Sequence, residues 1–521
     1  MLELDPSRRP VHYVVADDAK LNKIYMELGL HPGIIFALAI GLFLGLHLLL
    51  RWPLPLTFIA VAVAAALLGD FGIPFRHLVE GAFGFMNLVL ALFAGAFFGQ
   101  MVRKSGAADA AAAGVVRAAG ARVLPVLALA GLPVFAVGMF VGIAGVAVLS
   151  AGVFAVPALR RIGYDDATSA AFIAVVATAG MIAPPMNVPA QLIADGVNMP
   201  WANIARPLLA LSLPMAAAAL AWFAWLGRNR QTVRLHPPLQ GEGRTAEGRP
   251  GWGDGSAADD GDASYAEALS PPPGPLTRAD LPPAEPRYSE GSATQQSDRS
   301  RQQPTSVGGG DSRLLAGLRG FAPLALILAI WIAVRISDGV FDPASPLILV
   351  IGGLAALPLL PRKEFRAVIV DAFTGTPLRL AAVLTGVGVL VQIMTLTGVR
   401  GWLVTGAMSL QAPWSYPGIL VGMPLLGGAL TAMAASDVLG VPAAFSFIGQ
   451  DMILNVAALS AIASLAEFVP PTSIAAALAC YVVGGGTVGE VLRRAWPPMA
   501  VLAALAMLML VFAKELAGVL T

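Results

Sequence analysis

The segment at positions 163–185 reads GYDDATSAAFIAVVATAGMIAPP, and it returns 286 positions later, at 449–471, as GQDMILNVAALSAIASLAEFVPP. Six of the 23 aligned positions are identical, and both copies run from Gly-x-Asp through an apolar stretch to Pro-Pro. Proline lacks an amide donor and its ring collides with the preceding turn, so a membrane helix with Pro-Pro at its centre must break there. Bare backbone at membrane depth is tolerated only beside protein or a watery cavity, and paired breaks in matching halves point to a transporter's solute site.

The composition indicates a protein that crosses a membrane several times. Hydrophobic residues make up 57% of the 521 positions and charged residues 12%, against about 45–50% and 25% in soluble domains. The net charge is +1 and the basic residues are scattered through short loops, so nucleic acid is not an expected partner. The single cysteine, Cys480, cannot form an intrachain disulfide. No cleavable signal is predicted, because residues 1–32 are polar and mixed in charge.

Composition divides the chain into four parts. They are a polar N-terminal segment at 1–32, a first membrane repeat at 33–227, a linker at 228–312 and a second membrane repeat at 313–521. The linker is rich in Gly, Pro, Ser, Asp and Arg, and it cannot bury enough apolar area to offset its chain entropy. We expect it to be a disordered spacer, with a regulatory tail as the alternative.

Each half is predicted to contain three crossings, a re-entrant hairpin, a broken helix and a final helix. In the first half they lie at 33–50, 53–70, 83–102, 123–157, 166–194 and 201–226. In the second half they lie at 321–338, 345–361, 372–397, 414–443, 451–483 and 496–514. The hairpin is favoured over a single crossing at 123–157 because a basic loop precedes that stretch and Arg160 and Arg161 follow it, and the positive-inside rule places such clusters on one face.

An odd number of crossings in each half requires the second copy to be inverted. The fold class is therefore an all-α polytopic membrane protein with two inverted-topology repeats. A periplasmic N-terminus places most Lys and Arg residues, and the linker, in the cytoplasm. Arg76 and Arg400 are among the basic residues that this orientation places outside.

The two hairpin tips and the two helix breaks are expected to meet near the bilayer midplane. A broken helix exposes amide donors at one end and carbonyl oxygens at the other, which suit anions and cations respectively. Because no Lys or Arg is predicted at the midplane, an anionic substrate would be held by these dipoles, by hydroxyls and by co-bound cations. The predicted substrate-binding positions are Gly142, Ala144, Gly145, Pro185, Met186, Asn187, Thr431, Pro471, Thr472 and Ser473.

Neutral oxygens and two intramembrane carboxylates are the candidate cation ligands. A carboxylate inside a membrane costs on the order of 3 kcal/mol on insertion scales, which makes it a functional candidate. The candidate sodium or proton positions are Thr178, Asn187, Ser436, Asp437, Ser464, Glu467 and Thr472. Alternatively, the neutral groups only satisfy the frayed backbone, and Asp437 lies near the aqueous base of its hairpin. Asp165 and Asp451 are predicted to cap helices.

Three stretches resemble one known family, the large permease subunit of the tripartite ATP-independent periplasmic (TRAP) transporters. They are Gly-Tyr-Asp at 163–165 with the Ala-rich helix that leads into GMIAPP at 180–185, FAGAFFGQMVRKSG at 93–106, and GVGVLVQIMTLTGVRG at 386–401. The resemblance covers roughly 33–226 and 314–515, which is most of the chain outside the termini and the linker.

The resemblance implies an elevator-type, sodium-coupled importer of organic acids in the bacterial inner membrane. It also implies two separate protein partners beside the lipid bilayer, a periplasmic substrate-binding protein and a small four-helix membrane subunit. No cofactor is expected apart from the coupling ion. The chain departs from the family at its first tip, which has no hydroxyl, at Met186 in place of a common Ser, and at the second tip, where Thr431 stands near a common Asp. Coupling to sodium and coupling to protons both stay open.

Two other interpretations stay open. A single-component, ion- or proton-coupled anion carrier of the wider ion-transporter superfamily would use a similar inverted repeat. An intramembrane enzyme is the alternative from another class, but the sequence has no His-Glu-x-x-His pair, no buried nucleophile with a base and no Gly-rich phosphate loop. We therefore expect no enzymatic activity. A purely structural membrane protein would not need two unwound helices at matched depth.

Overall fold

A computed structural model describes residues 30–120, 122–228, 320–337, 344–409, 414–447 and 449–521. Throughout these ranges the regular structure is helical, without a β-strand. Six helices are long and apolar enough to cross a membrane, or seven if one bent pair is counted as a single span. The protein is therefore an all-α, multi-pass membrane protein, as the composition predicts. The predicted linker lies outside the described residues except for Arg228, and so do residues 1–29 of the N-terminal segment.

The first half forms eleven described helices. They are α1 (Pro32–Leu44), α2 (Leu54–Leu68), α3 (Phe75–Phe83), α4 (Met86–Lys104), α5 (Ala107–Ala119), α6 (Val123–Val141), α7 (Ala144–Ser150), α8 (Gly152–Arg161), α9 (Asp166–Ile182), α10 (Val188–Gly196) and α11 (Ala205–Arg228). A π-helical turn, Gly45–Leu49, extends α1. The chain reverses between α6 and α7, and α7 and α8 are bent by 60° to each other.

The second half follows the same order of helices. They are α12 (Ala322–Ile336), α13 (Ser345–Ala355), α14 (Phe365–Phe373), α15 (Gly375–Leu396), α16 (Val399–Ser409), α17 (Ser415–Ala429), α18 (Ala432–Ala435), α19 (Val441–Ser446), α20 (Met452–Ser464), α21 (Ile474–Val483), α22 (Val488–Val511) and a last helix, α23 (Ala513–Leu520). A π-helical turn, Ser436–Gly440, joins α18 to α19, and a 3₁₀ turn, Leu465–Phe468, extends α20.

Both predicted broken helices are interrupted at their Pro-Pro pairs. Helix α9 ends at Ile182 and α10 begins at Val188, while the 3₁₀ turn after α20 ends at Phe468 and α21 begins at Ile474. Both Pro–Pro peptide bonds are cis. The missing amide donors therefore fall between two helical arms in each half, as the sequence predicts.

The two aspartates at the start of the broken helices are caps. Asp165 Oδ1 accepts a hydrogen bond from the Thr168 amide at 3.0 Å, and Asp451 Oδ1 accepts one from the Leu454 amide at 2.9 Å. Each carboxylate satisfies an amide that has no partner inside its own helix. This confirms the capping role predicted for both residues.

The basic stretch that the sequence places in a loop after α4 is helical. Helix α5, AADAAAAGVVRAA, starts after Gly106 and stops at Gly120, and both glycines have the left-handed conformation that marks helix ends. Alanine is the strongest helix former, and the buried face of α5 is made of small residues that pack against α8. The prediction of a loop was wrong, because the helix propensity of the alanines outweighs the presence of Arg117 and Arg122 in this stretch.

The final helix begins earlier than the predicted 496. Thr487 and Glu490 form a capping box, in which the Thr487 hydroxyl accepts from the Glu490 amide at 3.3 Å and the Glu490 carboxylate accepts from the Thr487 amide at 3.0 Å. The helix therefore starts at Val488 and carries Pro497 and Pro498 in its interior. The predicted start at 496 was therefore eight residues too late.

Helices α6 and α9 cross at a contact between two glycines. A Cβ added to Gly138 would lie 2.9 Å from the Ala177 carbonyl oxygen, and one added to Gly180 would collide with the Phe135 carbonyl oxygen. Small residues permit this backbone approach, and van der Waals packing of this kind drives helix association in lipid. The first broken helix is thereby fixed to the first arm of its hairpin.

Gly180→Ala should destabilise the protein, because the added methyl group meets backbone that cannot rotate away. We expect a loss of about 1–3 kcal/mol in the free energy of unfolding, the usual cost of overpacking. The measurement is thermal unfolding of the purified protein in detergent. Gly41→Ala in α1 is the matched control, since no atom would lie within 4 Å of its Cβ. Equal stability of the two variants would contradict the tight crossing.

Candidate functional site

The first hairpin tip, residues 142–145, is hydrogen-bonded to the first break, residues 183–187. The Met186 amide donates to the Met139 carbonyl at 3.2 Å, and the Val188 amide donates to the Gly142 carbonyl at 3.4 Å. Gly142 has a left-handed conformation (φ 70°), and a Cβ at this position would collide with the Met186 carbonyl. The tip backbone thus satisfies amides that the break leaves without helical partners.

The second tip, residues 430–431, and the second break, residues 469–473, are joined in a similar way. The Thr472 amide and hydroxyl both donate to the Gly428 carbonyl, at 3.1 and 2.9 Å. A Cβ on Gly428 would lie 2.9 Å from the Pro470 carbonyl oxygen, so the two backbones touch. Thr431 caps α18 by accepting the Ala434 amide at 3.0 Å.

These two regions lie next to each other in the centre of the described fold. Asn187 Nδ2 in the first break donates to Ser460 Oγ in α20 at 3.2 Å. A Cβ on Gly145 in the first tip would lie 3.3 Å from the side chain of Ile474, the first residue of α21. The structure therefore brings together most of the predicted substrate-binding positions around one region of interrupted helix.

Asn187 uses its whole side-chain amide to close the first break. Its Oδ1 accepts the Ala190 amide at 2.9 Å and so caps α10, while its Nδ2 donates to the Ile182 carbonyl at 3.1 Å, near the end of α9. The residue is completely buried. These bonds agree with the alternative interpretation that the neutral candidate ligands only satisfy backbone groups at the break. The bond to Ser460 also connects the two halves.

Three of the hydroxyl candidates are buried and donate to a carbonyl one turn earlier in the chain. Thr178 donates to the Ala174 carbonyl at 2.9 Å, Ser436 to the Ala432 carbonyl at 2.9 Å, and Ser464 to the Ser460 carbonyl at 2.7 Å. A hydroxyl that donates its proton keeps oxygen lone pairs, so such groups can still face a cation. Among the described residues, no three His, Cys, Asp or Glu side chains converge on one point, so neutral oxygens are the more numerous potential ligands.

Glu467 lies in the 3₁₀ turn before the second break and is 2% exposed. Its Oε2 accepts the Ala475 amide at 3.0 Å, in the first turn of α21. The positive end of that helix stabilises a carboxylate. No basic side chain of the described ranges forms an ion pair with it, so this group is the one candidate carboxylate that faces the break without a cationic partner.

Asp437 has a different environment from Glu467. Its Oδ1 lies 2.6 Å from Arg400 Nη2, and the same guanidinium nitrogen donates to the Asp437 backbone carbonyl at 3.0 Å. Both side chains are 29% exposed. The ion pair joins the second hairpin to α16. It gives the carboxylate in this apolar segment a counter-charge, so a bound ion is not needed to explain the residue. The sequence analysis did not predict this partner, because the two residues are 37 positions apart and meet only through packing.

Ser473 is the least satisfied of the predicted positions. It has a left-handed conformation (φ 37°), is 2% exposed, and its hydroxyl has no hydrogen-bond partner among the described residues. Burying a hydroxyl without a hydrogen-bond partner is unfavourable, because the group loses its bonds to water. The second break therefore contains a polar atom available to a solute or a cation. The sequence identified the residue, but only the structure shows that its oxygen is unpartnered.

Two polar side chains that form hydrogen bonds between helices were not predicted. Ser460 lies one turn before Ser464 on the same face of α20, a spacing that the sequence could have revealed. Tyr481 in α21 accepts a hydrogen bond from Gln100 Nε2 of α4 at 3.3 Å, and Arg103 donates to the same Gln100 at 2.6 Å. No local pattern indicates this contact, because its partners are 381 positions apart.

No model of a known protein family matches the chain, and no curated protein matches it either. The resemblance to TRAP permeases stays a prediction from the sequence motifs. Function must therefore be inferred from the geometry of the tips and the breaks.

The bond between Asn187 and Ser460 is expected to couple the two halves energetically. Asn187→Ala should cost about 1–3 kcal/mol of stability because it leaves buried backbone groups without partners. Ser460→Ala alone should cost less, and the double variant should be less destabilised than the sum of the two. Thermal unfolding of all four proteins measures the coupling, with exposed Asn87→Ala in α4 as control. Strict additivity would show that the bond does not contribute.

Proposed function

We propose that the protein is a secondary active importer of an organic anion, of the carboxylate class, that is coupled to a cation and works by elevator-type alternating access. The observation that supports this best is the convergence of two hairpin tips and two broken helices in one buried region. Irregular backbone at membrane depth is the usual setting of a transporter's substrate and ion sites. In this proposal the protein lies in the bacterial inner membrane with its N-terminus in the periplasm and its linker in the cytoplasm.

The pairing of the helical arms supports the inverted repeat. Arg160, at the end of α8, donates to the Val483 carbonyl at 2.7 Å, and a Cβ on Gly485 would collide with the Asp166 carboxylate. The end of α21 thus lies beside the start of α9. Since α9 runs toward its break and α21 runs away from its own, the two arms are antiparallel.

The other two arms are related in the same manner. Asn187, at the start of α10, contacts Ser460 in α20, and a Cβ on Gly196, at the end of α10, would collide with Val441 of the second hairpin. Asn455, near the start of α20, donates to the carbonyl of Phe447, which follows that hairpin. Each broken helix therefore has its first arm beside the second arm of the other, as two inverted copies would have.

The helix starts at the breaks provide the charges that an anion and a cation require. At α21 the positive end already holds the Glu467 carboxylate, whereas at α10 it is capped by the neutral Asn187. An anionic substrate is therefore better accommodated at the α10 side of the region. The cation is better accommodated near Glu467 and the unpartnered hydroxyl of Ser473.

The proposed partners are a periplasmic substrate-binding protein and a small four-helix membrane subunit. The direct experiment is uptake of labelled organic acids into vesicles that contain the purified protein, under an imposed sodium or proton gradient. Uptake that needs the gradient and both partners supports the tripartite system. A failure to accumulate any anion in their presence would overturn the proposal.

The second candidate, a single-component proton-coupled carrier, is favoured by two observations. Glu467 is a buried carboxylate beside the break, and the first tip has no hydroxyl to contribute to a sodium site. A carboxylate without a basic partner is suited to carry a proton. Uptake that persists without any periplasmic protein and follows the proton gradient would select this candidate.

Glu467→Gln should change the ion dependence of uptake more than it changes expression. The Gln side-chain oxygen can still accept the Ala475 amide, so the fold is expected to remain intact while the charge is lost. The measurement compares uptake driven by sodium and by proton gradients, with exposed Glu515→Gln in α23 as control. Unchanged coupling would remove Glu467 from the site.

Ser473→Ala should weaken cation binding at least severalfold without unfolding the second break, because its hydroxyl has no hydrogen-bond partner to lose within the described ranges. Thr472→Ala should weaken binding and also loosen the second tip, since Thr472 holds the Gly428 carbonyl. A sodium titration of uptake by the reconstituted protein separates these effects. Ser105→Ala, in the turn after α4, is the control. An unaltered titration in the Ser473 variant would exclude this hydroxyl as a ligand.

A further inference from the structure

A cavity of about 350 Å³ separates the second tip from the helices at the start of the first half. Its walls are formed by α1, α2 and α15 on one side and by the end of α17, Leu430 and Pro471 on the other. The cavity therefore touches both the second tip and the second break. It does not include Ser473, Glu467 or Asn187, and its overlap with the candidate site is limited to Leu430 of the second tip and Pro471 of the second break.

The lining of this cavity is almost entirely hydrocarbon. Among the described residues of its wall, Thr397 carries the one polar side-chain oxygen, and that hydroxyl already donates to the Ile393 carbonyl at 2.9 Å. An ordered water needs two to four polar partners, and apolar cavities of about 150 Å³ stay dry yet bind apolar molecules. A carboxylate or a hydrated ion would find no partner here. The ligand must be apolar.

The cavity opens toward the lipid. Ile40 and Leu44 of α1 and Leu425 of α17 form part of its wall, and they are 44%, 46% and 59% exposed. Helix α1 is one of the candidate membrane spans, and only 11% of its apolar window is buried. In a multi-pass membrane protein such exposed apolar side chains contact acyl chains, so hydrocarbon of the bilayer is continuous with the cavity.

The first hairpin packs directly on α4, where a Cβ on Gly99 would collide with the Leu149 carbonyl. The second hairpin also contacts α15, because Leu430 and Ala434 belong to the same apolar cluster as Leu390, and the cavity lies beside this contact. A gap of this size without atoms would forfeit the dispersion contacts of every side chain along its wall.

From these observations we propose that the cavity binds one acyl chain of a bilayer phospholipid, which fills the space between α1, α2, α15 and the second tip. This site goes beyond the proposed transport function and does not depend on it. The bound chain contacts Leu426, Ala429 and Leu430, and it lies between these residues and helices α1 and α2.

The test uses a phosphatidylcholine with a photoactivatable diazirine in its acyl chain, in vesicles that contain the full-length protein. Mass spectrometry of the irradiated protein locates the labelled residues. We expect label on Phe43 and Ala429, which line the cavity from α1 and α17 and are half-buried. Label confined to outward-facing residues such as Ile34 and Leu38 would overturn the proposal, including the case in which another protein segment occupies the cavity.

A matched pair of alanines on α1 makes the test specific. Ala39 lines the cavity, whereas Ala37 is exposed and does not. Ala39→Leu should abolish labelling of Phe43 and Ala429, and Ala37→Leu should leave it unchanged. Ala65→Leu fills the cavity from α2 and repeats the test if the first variant does not fold. Undiminished labelling in a folded filling variant would contradict the site.

Discussion

The structure depends on one constraint: a helix broken inside a membrane leaves backbone groups that lipid cannot satisfy. Each Pro-Pro pair creates such groups, and carbonyls at or near the hairpin tip of the same half accept hydrogen bonds from the free amides. The first break donates to the Met139 and Gly142 carbonyls, and the second donates to the Gly428 carbonyl. The hairpins must therefore reach the depth of the breaks, and the glycines at the tips and crossings must stay small enough to allow it. The same constraint concentrates polar atoms in one region of an otherwise apolar fold.

Charge within that region is distributed unevenly between the two halves. The second break holds a carboxylate at the start of α21 and an unpartnered hydroxyl beside it, whereas the first break is closed by a neutral amide. Such an asymmetry is what a site for two solutes of opposite sign requires, since equal environments could not tell them apart. The second half is also the one whose hairpin tip borders an apolar cavity.

The sequence predicted the parts of the fold that follow from local chemistry. Pro-Pro pairs, Gly-x-Asp starts and apolar runs located the breaks, the caps and nearly all long helices, because proline, aspartate and hydrophobicity act within a few residues. Helix α5 was not predicted, although its alanines favour a helix despite the neighbouring charges. The predicted start of α22 was too late, because the capping box at Thr487 and Glu490 already begins the helix. The roles of site residues were less accessible. That Asp437 pairs with Arg400, or that Asn187 meets Ser460, depends on packing between distant segments.

The exchange of arms between the halves has a consequence for biosynthesis. Helix α9 lies against α21, and α10 lies against α20, so each arm of the first broken helix lacks its partner arm until the second half has been inserted. Until then the first break is held by the hairpin of its own half, and the Asn187 side chain lacks its bond to Ser460. The first half therefore reaches its final arrangement only after the whole chain has entered the bilayer.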